Sequence, residues 1–327
     1  MAHQICPADQ DTVDLIKKHY LSDFEFKYVR INGVLLSEYY LKSINLIENF
    51  RIRDDDVWVC SFPKTGTTWS QEMVWCVNND LDFERAKVPL TERFPYFECS
   101  AVFGGQLYPE GKPDSDVPEY FADCISFVEK LPSPRFIKTH LPFHLLPRQL
   151  RSGETKAKIV YVFRNVKDTC ISYYHHTQLF DGYQKNFDSF TELFLENALH
   201  YAPFWDHVLS YWNLRKRDNM LILKYEDMKR DLPSIIKNTA TFFGKNLTSD
   251  QLTTLTQHLS FSSMRENPAV NNDQLLAHVQ KILRTKREGK FIRSGAMDQW
   301  KTVMTSELIK KFDDMTARKL EGTGLSY

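Results

Sequence analysis

The feature that most constrains this chain is the run SFPKTGTTW at residues 61–69, which directly follows the apolar segment 57–60. An apolar strand that ends in a loop with a lysine, a glycine and several hydroxyls is typical of a site for a phosphate-like anion. Residues 71–78 are helix-compatible, so the positive end of a helix would point at the same anion. The candidate anion ligands are Lys64, Thr65, Gly66, Thr67 and Thr68.

Two other interpretations of residues 61–69 remain open at this point. A threonine ahead of an apolar helix is a routine N-cap, and a lysine beside it is usually solvated. A Walker A loop would need G-x-x-x-x-G-K-[ST], whereas here the lysine precedes the glycine. The local pattern therefore favours an anion site without deciding it, and it weakens a kinase-type interpretation.

Two further apolar segments also end in cations or a histidine. Residues 135–137 lead to Lys138 and His140, which share one face of an extended chain. Residues 158–163 form a nearly uninterrupted apolar run, as expected of a parallel strand that is buried on both faces, and this run ends at Arg164. Both segments thus bring a charged group to the end of a predicted strand.

A last strand-like segment, 219–224, ends in Tyr225 and two carboxylates. Because the ligands of open α/β sheets gather at the carboxyl edge, these strand ends predict one shared site. Helices should alternate with the strands, and the apolar spacing over 188–210 predicts an amphipathic helix. We therefore expect an α/β fold, with a central parallel β-sheet flanked by helices in a single domain over 1–327.

Taken together, these segments resemble the cytosolic sulfotransferases, and in particular their arthropod-like branch. That family moves a sulfuryl group from 3′-phosphoadenosine 5′-phosphosulfate (PAPS) to an alcohol, phenol or amine, and releases 3′-phosphoadenosine 5′-phosphate (PAP). The motifs that carry the resemblance are PKTGTTW at 63–69, KTHLP at 138–142, RNVKDTCISYYH at 164–175, YED at 225–227 and FIRSG at 291–295 with Trp300. The resemblance implies a P-loop-like phosphosulfate-binding loop and PAPS as the cofactor.

The resemblance also implies the roles of individual residues. It makes His140 the general base and places Lys64, Lys138 and Ser172 with it as catalytic residues. Charge supports this, because a neutral imidazole can take a proton near neutral pH and lysines can neutralise the sulfuryl oxygens and the leaving phosphate, so no metal is required. The implied cofactor-binding residues are Lys64, Thr65, Gly66, Thr67, Thr68, Trp69, Arg164, Ser172, Tyr225, Ser260, Met264, Phe291, Ile292, Arg293, Ser294 and Gly295.

The chain departs from the family pattern at three places. Val166 replaces a usual proline, which should be mild because that side chain would not touch the phosphate. Ser294 replaces a common lysine, so we expect weaker but retained cofactor binding through Arg164 and Arg293. The family's dimerisation stretch maps onto 301–310 with two replaced residues, which weakens the expectation of a homodimer.

The acceptor pocket is predicted to be aromatic. Aromatic walls favour flat apolar acceptors such as phenols, steroids, retinoids or other polycyclic alcohols. We also expect residues 1–50 to contribute to this pocket and residues 265–290 to form a mobile cap. The predicted pocket residues are Phe94, Tyr96, Phe97, His140, Tyr174 and His176.

Composition narrows the range of partners. The 42 basic and 42 acidic residues balance to a net charge of zero, so no basic field favours nucleic acid. The six cysteines are scattered without a C-x-x-C pair, as in reduced core residues of a cytoplasmic protein. No stretch approaches 18 apolar residues, so we expect no membrane partner. The resemblance implies a small-molecule acceptor as the partner.

Two rival functions stay open from sequence. A nucleotide-dependent phosphotransferase could use the Lys64 loop, but it would need magnesium ligands, and Arg164 stands where a Walker B aspartate is expected. A protein that binds PAPS or a hormone without catalysis would keep the pocket but lose a competent base. The joint presence of Lys64, Lys138, His140 and Ser172 favours the enzyme.

Overall fold

The computed structural model describes residues 3–20, 27–107, 117–283 and 287–326. The predicted N-terminal pocket segment 1–50 and the predicted cap 265–290 therefore lie partly outside the described residues. Within these ranges the strands are β1 (Ile5–Pro7), β2 (Tyr28–Ile31), β3 (Val34–Ser37), β4 (Val57–Ser61), β5 (Phe136–Thr139), β6 (Lys158–Phe163) and β7 (Met220–Lys224).

Helices occupy most of the remaining described chain. Short 3₁₀ helices lie at Glu38–Lys42, Arg85–Lys87 and Phe143–Leu145. The α-helices are α1 (Gln10–His19), α2 (Ile44–Glu48), α3 (Thr67–Asn78), α4 (Leu90–Arg93), α5 (Cys99–Leu107), α6 (Glu119–Ala122), α7 (Cys124–Lys130), α8 (Arg148–Ser152), α9 (Val166–Phe180), α10 (Phe187–Leu195), α11 (Phe204–Trp212), α12 (Tyr225–Arg230), α13 (Leu232–Phe242), α14 (Ser249–His258), α15 (Phe261–Glu266), α16 (Asp273–Ile282), α17 (Trp300–Val303) and α18 (Ser306–Leu320).

The central sheet has four parallel strands in the order β5-β4-β6-β7. Strands β4 and β6 lie in the middle, and β4 is buried along its whole length. This arrangement explains their continuous apolar sequence, because helices cover both faces of such a sheet. The predicted α/β fold with a central parallel sheet is confirmed.

The two faces of the sheet belong to two different hydrophobic clusters. On β4, Trp58 and Cys60 pack into one cluster, and Val57 and Val59 pack into the other. Strand β6 alternates in the same way, since successive side chains of a strand point to opposite faces. The strand ends that carry the polar residues are thereby held between two packed layers.

A second, antiparallel sheet has the order β1-β2-β3. Strand β3 is buried throughout, and its Leu35 exchanges backbone hydrogen bonds with the loop before α11, donating to Ala202 O at 3.1 Å and accepting from Tyr201 N at 3.0 Å. The small sheet therefore supports the loop that carries Tyr201.

The predicted helix over 188–210 is wrong, because the segment forms two helices, α10 and α11. Pro203 precedes α11, and a proline within a helix would remove a backbone hydrogen bond and clash with the preceding turn. Asn197 and Tyr201 adopt left-handed conformations, with φ of 56° and 69°. The apolar spacing continues regularly from α10 to α11, although the backbone between these helices is not helical. The spacing alone therefore predicted one helix instead of two.

The cysteines follow the prediction with one exception. All six are free, and Cys60, Cys76, Cys99, Cys124 and Cys170 are buried. Cys6 is exposed because it lies on the edge strand β1, so the expectation of a core position is wrong for this residue. In the described ranges, none of the helices combines the length and the apolar character that crossing a bilayer would need.

A buried ion pair joins the starts of β4 and β5. The guanidinium of Arg135 donates to both carboxylate oxygens of Asp56, at 2.8 and 2.5 Å, and also to Arg51 O at 2.8 Å. Asp56 in turn accepts from the backbone N–H of Arg53 at 2.9 Å. The side chains of Asp56 and Arg135 are 0% and 2% exposed, so neither charge has water as an alternative partner.

Replacement of Asp56 by alanine should destabilise the fold by about 3–5 kcal/mol, because it leaves the Arg135 charge buried without a partner. Urea unfolding followed by circular dichroism measures this loss. The matched control is Glu84→Gln, which breaks an exposed pair with Lys87 and should cost at most about 1 kcal/mol. Similar losses for both variants would contradict the structural role of the buried pair.

Candidate active site

The carboxyl edge of the central sheet opens into a cavity of about 320 Å³. Residues that follow each of its four strands line this cavity. They are Pro63 and Lys64 after β4, Lys138 and His140 at the end of β5, Arg164 after β6 and Tyr225 after β7. The parallel arrangement thus brings together polar groups that lie far apart in the sequence.

The loop between β4 and α3 has a strained backbone. Lys64 and Gly66 have positive φ values of 69° and 112°, and Gly66 is the N-cap of α3 without a capping side chain. A Cβ on Gly66 would lie 2.8 Å from Cδ2 of Tyr225. The loop therefore needs glycine here both for its conformation and for its close approach to Tyr225.

Four cations share one part of the cavity: Lys64, Lys138, Arg164 and Arg293. Burial, followed by the charges of the other three, lowers the pKa of Lys64 to about 7. Burial likewise lowers the pKa of Lys138 to about 8. Among the described residues, Nε of Arg164 is buried without a hydrogen-bond partner. One buried carboxylate, Asp168, lies 3.8 Å from Nη2 of Arg164, and the excess of positive charge over this carboxylate suits an anion with several negative charges.

His140 is held in one tautomer. Its Nδ1 lies 2.8 Å from Ser61 O, and a carbonyl can only accept, so Nδ1 carries the proton. The Nε2 lone pair is then available to accept a proton. Burial, and next the charge of Lys138, lowers the pKa of His140 well below its ordinary value. The imidazole is therefore neutral at neutral pH.

Neighbouring side chains fix the backbone of His140. The carboxylate of Glu98 accepts from His140 N–H at 2.7 Å and from Thr139 Oγ1 at 2.8 Å. On the other side, Nε2 of His207 donates to His140 O at 2.9 Å, while its Nδ1 pairs with the Tyr161 hydroxyl at 2.9 Å. These groups are buried, so the imidazole has a well-defined position.

Two tyrosines flank the imidazole. The hydroxyls of Tyr96 and Tyr201 are 2.5 Å apart, and their ring centroids lie 5.1 and 5.7 Å from that of His140. The ammonium of Lys138 lies over the Tyr96 ring, 4.1 Å from its centroid. A ligand that reaches His140 thus enters a site with aromatic walls and a nearby cation.

The anion end of the cavity also has an aromatic rim. Trp69 and Tyr225 meet edge to face at 5.6 Å, and Trp69 Nε1 donates to Leu259 O at 2.9 Å. The ammonium of Lys64 lies 3.7 Å from the centroid of Phe291, which also lines the cavity. Flat surfaces of this kind suit a nucleobase beside a bound anion.

Comparison with known proteins agrees with this geometry. The model of the sulfotransferase domain family matches residues 54–324. The chain is 41% identical to luciferin sulfotransferase of Photinus pyralis over 312 residues, which is 95% of this chain and 84% of that relative. It is 32% identical to sulfotransferase 1A1 of Canis lupus familiaris over 304 residues, 92% of this chain and 95% of that protein.

The chain belongs to the sulfotransferase family. The predicted family, its arthropod-like branch and the enzymatic class are confirmed. Two solved structures of retinol dehydratase each superpose on this sulfotransferase with a TM-score of 0.89. One, with retinol and PAP, is 31% identical and aligns over 100% of this chain and 99% of its own. The other, with androsterone and the inactive cofactor PAP, is 30% identical over 100% and 98%.

Most of the residues predicted to hold the cofactor line the cavity of this sulfotransferase. Thr65 and Ser260 do not, and their side chains have other partners. The Thr65 hydroxyl donates to Phe62 O at 2.9 Å and to Val162 O at 3.0 Å, and Ser260 caps α15. The residues that line the cavity are Lys64, Gly66, Thr67, Thr68, Trp69, Arg164, Ser172, Tyr225, Met264, Phe291, Ile292, Arg293, Ser294 and Gly295.

Of the predicted pocket residues, Phe94, Tyr96, His140 and His176 line the cavity of the sulfotransferase. Phe97 differs from the prediction because it is fully buried against Phe50 and Trp58, with ring centroids 4.8 and 5.1 Å away. The prediction for Phe97 followed from the resemblance of residues 94–98 to a pocket-lining stretch of the family.

Tyr174 also differs from its predicted place in the pocket. It packs against Phe187 and Phe190, with ring centroids 5.4 and 5.7 Å away. The helical period explains this position. Residues 173, 176 and 180 of α9 line the cavity at a spacing of three and four, and position 174 lies on another face.

Sequence analysis missed several lining residues of the sulfotransferase. One group comes from four helices and from the loop before α11, and apolar or aromatic character was its main sequence signal; its members are Cys99, Phe103, Tyr120, Phe121, Tyr173, Phe180, Tyr201, Leu275 and Val279. Asp181, which directly follows α9, was also missed and had no such signal. Further lining residues that were not predicted are Gln71, Leu90, Thr91, Lys229, Leu259, Phe261, Asn272 and Gln299. None of the described residues in 3–20 and 27–50 lines the cavity, and the role of segment 1–50 stays a prediction.

One group in the described chain has metal-binding side chains close together. Candidate ligand atoms of Glu72, Cys76 and His258 lie within 4.8 Å of one another. Both oxygens of Glu72 are already engaged, since His258 Nε2 lies 2.7 Å from Oε1 and Arg93 forms an ion pair with Oε2. This arrangement serves as a buried charge pair rather than as an open ligand set.

Replacement of Gly66 by alanine should destabilise the sulfotransferase more than replacement of Gly244. Both glycines have positive φ, which costs a substituted residue about 1–2 kcal/mol. Only at Gly66 must the new Cβ also displace Tyr225, because nothing lies within 4 Å of the same position at Gly244. Free energies of unfolding in urea measure the difference, and equal losses would contradict the close approach.

Proposed function

We propose that this sulfotransferase moves a sulfuryl group from PAPS to the hydroxyl of a small apolar or phenolic acceptor, with His140 as general base. One observation carries the proposal: a single cavity contains a cluster of buried cations, a neutral imidazole and aromatic walls. A polyanionic donor suits the first part and a flat acceptor suits the second.

The residues at the cation end fit PAPS. The positive charge of Lys64 and Lys138 would be stabilised by a phosphosulfate, and Arg164 and Arg293 offer guanidinium groups to a further phosphate. The N-terminus of α3, whose N-cap offers no side chain, points backbone N–H groups toward the same loop. Trp69 and Tyr225 would flank the adenine. The PAP in the retinol dehydratase structures supports this assignment.

When bound, PAPS would supply a sulfuryl group that is attached to a phosphate leaving group. The Nε2 atom of His140 takes the proton of the acceptor hydroxyl, while Ser61 O keeps the proton on Nδ1. Lys138 would stabilise the negative charge on the sulfuryl oxygens, and Lys64 would neutralise the charge that develops on the phosphate when its bond to the sulfuryl group breaks. Ser172 lies on α9 and lines the cavity, and it would bind the 3′-phosphate. No step of this mechanism calls for a metal.

The acceptor end favours a flat apolar molecule. Tyr96, Phe103, Phe121, Tyr173 and Tyr201 line it. Relatives support small acceptors of this kind, since one is named for luciferin and the retinol dehydratase structures contain retinol or androsterone. The proposed acceptors are therefore phenols, steroids, retinoids and other polycyclic alcohols.

The proposed location is the cytoplasm, in keeping with the buried free cysteines. The predicted dimerisation stretch lies in α17 and α18, and Val303 is 50% exposed there. One exposed valine is too little apolar surface to define a stable interface. A homodimer stays a prediction, and no nucleic acid or membrane is part of the proposal.

The experiment that tests the reaction is transfer of labelled sulfate from PAPS to a panel of phenols, steroids and polycyclic alcohols. One arm contains a chelator and no metal, and the parallel arm contains ATP with magnesium. We expect transfer in the metal-free arm. His140→Ala and His140→Asn should each lower kcat by at least about 100-fold, because the proton acceptor is lost. Binding of PAP, followed by calorimetry, should stay close to that of the unchanged protein.

The control for this experiment is His144→Ala, which removes an imidazole that does not line the cavity. It should leave transfer nearly unchanged. Substantial turnover by both His140 variants would overturn the assignment of the base. Phosphate transfer in the ATP arm without sulfate transfer would overturn the reaction class.

PAP affinity should fall as the pH rises above about 7. In the free protein Lys64 has a pKa of about 7, so it is mostly protonated below that pH and mostly neutral above it. A polyanion binds the protonated form, and binding at high pH must therefore take up a proton. We expect a loss approaching tenfold per pH unit between about pH 7 and about pH 9. Calorimetry at constant ionic strength measures it.

Lys64→Met should weaken PAP binding and flatten its pH dependence, leaving the smaller contribution of Lys138, whose pKa is about 8. Lys229→Met is the matched control, because Lys229 also lines the cavity but lies outside the group of cations that act on Lys64. It should weaken binding without changing the slope. An affinity of the unchanged protein that is constant over this pH range would refute the argument.

A further inference from the structure

The acceptor end of the cavity contains a carboxylate that the proposed reaction does not use. Among the described residues that line the cavity, Asp181 is the only acidic one, whereas five are cationic. At the proposed PAPS end, the charges of three of the cations lower the pKa of a fourth, Lys64. Asp181 instead lies directly after the last residue of α9, beside Phe180 in the aromatic wall.

Helix α9 sets the distance between this carboxylate and the reacting groups. His176 lies near Lys64 and Lys138, whose charges add to the effect of burial in lowering its pKa. Asp181 follows five residues later, which corresponds to about 7.5 Å along a helix axis. His176 stacks on Phe180, with ring centroids 4.6 Å apart, so an aromatic surface connects the two places.

The Asp181 carboxylate has no hydrogen-bond or ion-pair partner in the described part of the chain. It lies among tyrosines, and its charge adds to burial in raising the pKa values of Tyr20, Tyr28 and Tyr173. Burial in turn raises the pKa of Asp181 to about 7. Asp181 is half-buried, so a ligand that covers it must supply a hydrogen-bond donor in place of water or leave the carboxyl group without a partner.

We propose that Asp181 is a specificity-determining residue that binds a hydrogen-bond donor at the far end of an elongated acceptor. The acceptor class is a flat molecule with the reacting hydroxyl at one end and a second hydroxyl or an amine at the other. This inference rests on the proposed function, since it assumes that the aromatic end of the cavity binds the acceptor.

The same geometry predicts which acceptors are disfavoured. An acceptor with a purely apolar far end would enclose Asp181 and leave it without water or a partner, which costs free energy. An acceptor with a carboxylate at that end would also place two negative charges in a site of low polarity. The aromatic walls by themselves would distinguish none of these molecules.

The test uses four steroids that share one skeleton and differ only in the substituent at the end far from the reacting hydroxyl. The reacting group is the phenolic hydroxyl of oestradiol, and position 17 carries a hydroxyl, an amine, hydrogen or a carboxyl group. We expect kcat/KM for the hydroxyl and amine compounds to exceed that for the 17-deoxy compound by at least about tenfold. The difference should lie mainly in KM, because the contact is remote from the reacting atom.

Two variants examine the residue itself. Asp181→Leu should abolish or reverse the preference for the 17-hydroxyl compound, because an apolar side chain favours the deoxy end. Asp181→Asn keeps the size and hydrogen-bonding capacity and should admit the 17-carboxyl compound. The matched control is Asp188→Asn, an exposed aspartate at the start of α10, which should change no preference.

Two results would overturn the inference: equal kcat/KM for the 17-hydroxyl and 17-deoxy compounds in the unchanged protein, or an unchanged preference in Asp181→Leu. If no compound accepts sulfate, the proposed function fails. Binding of the same four compounds to the protein with PAP, followed by tyrosine and tryptophan fluorescence, then decides the inference separately. Tighter binding of the 17-hydroxyl compound that Asp181→Leu removes would support it, and equal binding would overturn it.

Discussion

The rest of this structure depends on a cluster of buried positive charge at the carboxyl edge of a parallel sheet. Lys64, Lys138 and Arg164 follow three neighbouring strands, and their mutual repulsion would destabilise the fold if water or an anion could not approach them. Because these groups line a cavity, an anion can approach them and reduce the repulsion. Strands β4, β5 and β6 therefore have to remain in register, and the Asp56–Arg135 pair holds two of them at their starts.

The carboxyl edge of the sheet also places the general base of the proposed reaction beside the cations without making the imidazole charged. Lys138 and His140 leave one strand on the same face, so the lysine helps to keep the imidazole neutral. Hydrogen bonds to Ser61, Glu98 and His207 then fix its orientation. A neutral, oriented imidazole beside fixed cations is the arrangement that proton removal and charge stabilisation both need.

Sequence patterns predicted the parts of the site that lie on or directly after strands. The run 158–163 coincides with β6, and the loop after β4 leads into α3 as expected. Predictions failed where the chain had to be followed between elements. Pro203 divides the expected helix over 188–210, and Phe97 faces the core although Tyr96 faces the cavity. Apolar spacing alone does not take account of Pro203, although a proline is a local signal for the end of a helix. The position of Phe97 depends on packing against Phe50 and Trp58, which lie far away in the sequence.

By itself, the amino-acid sequence determined the family, the parallel sheet and the cations that gather at its edge, because short motifs of fixed spacing carry those features. Only the tertiary structure decided the acceptor end. Tyr201 reaches His140 through a loop supported by β3, and Asp181 reaches the cavity because of the length of α9. Such side chains come from separate elements, and their meeting depends on packing geometry that no local pattern records.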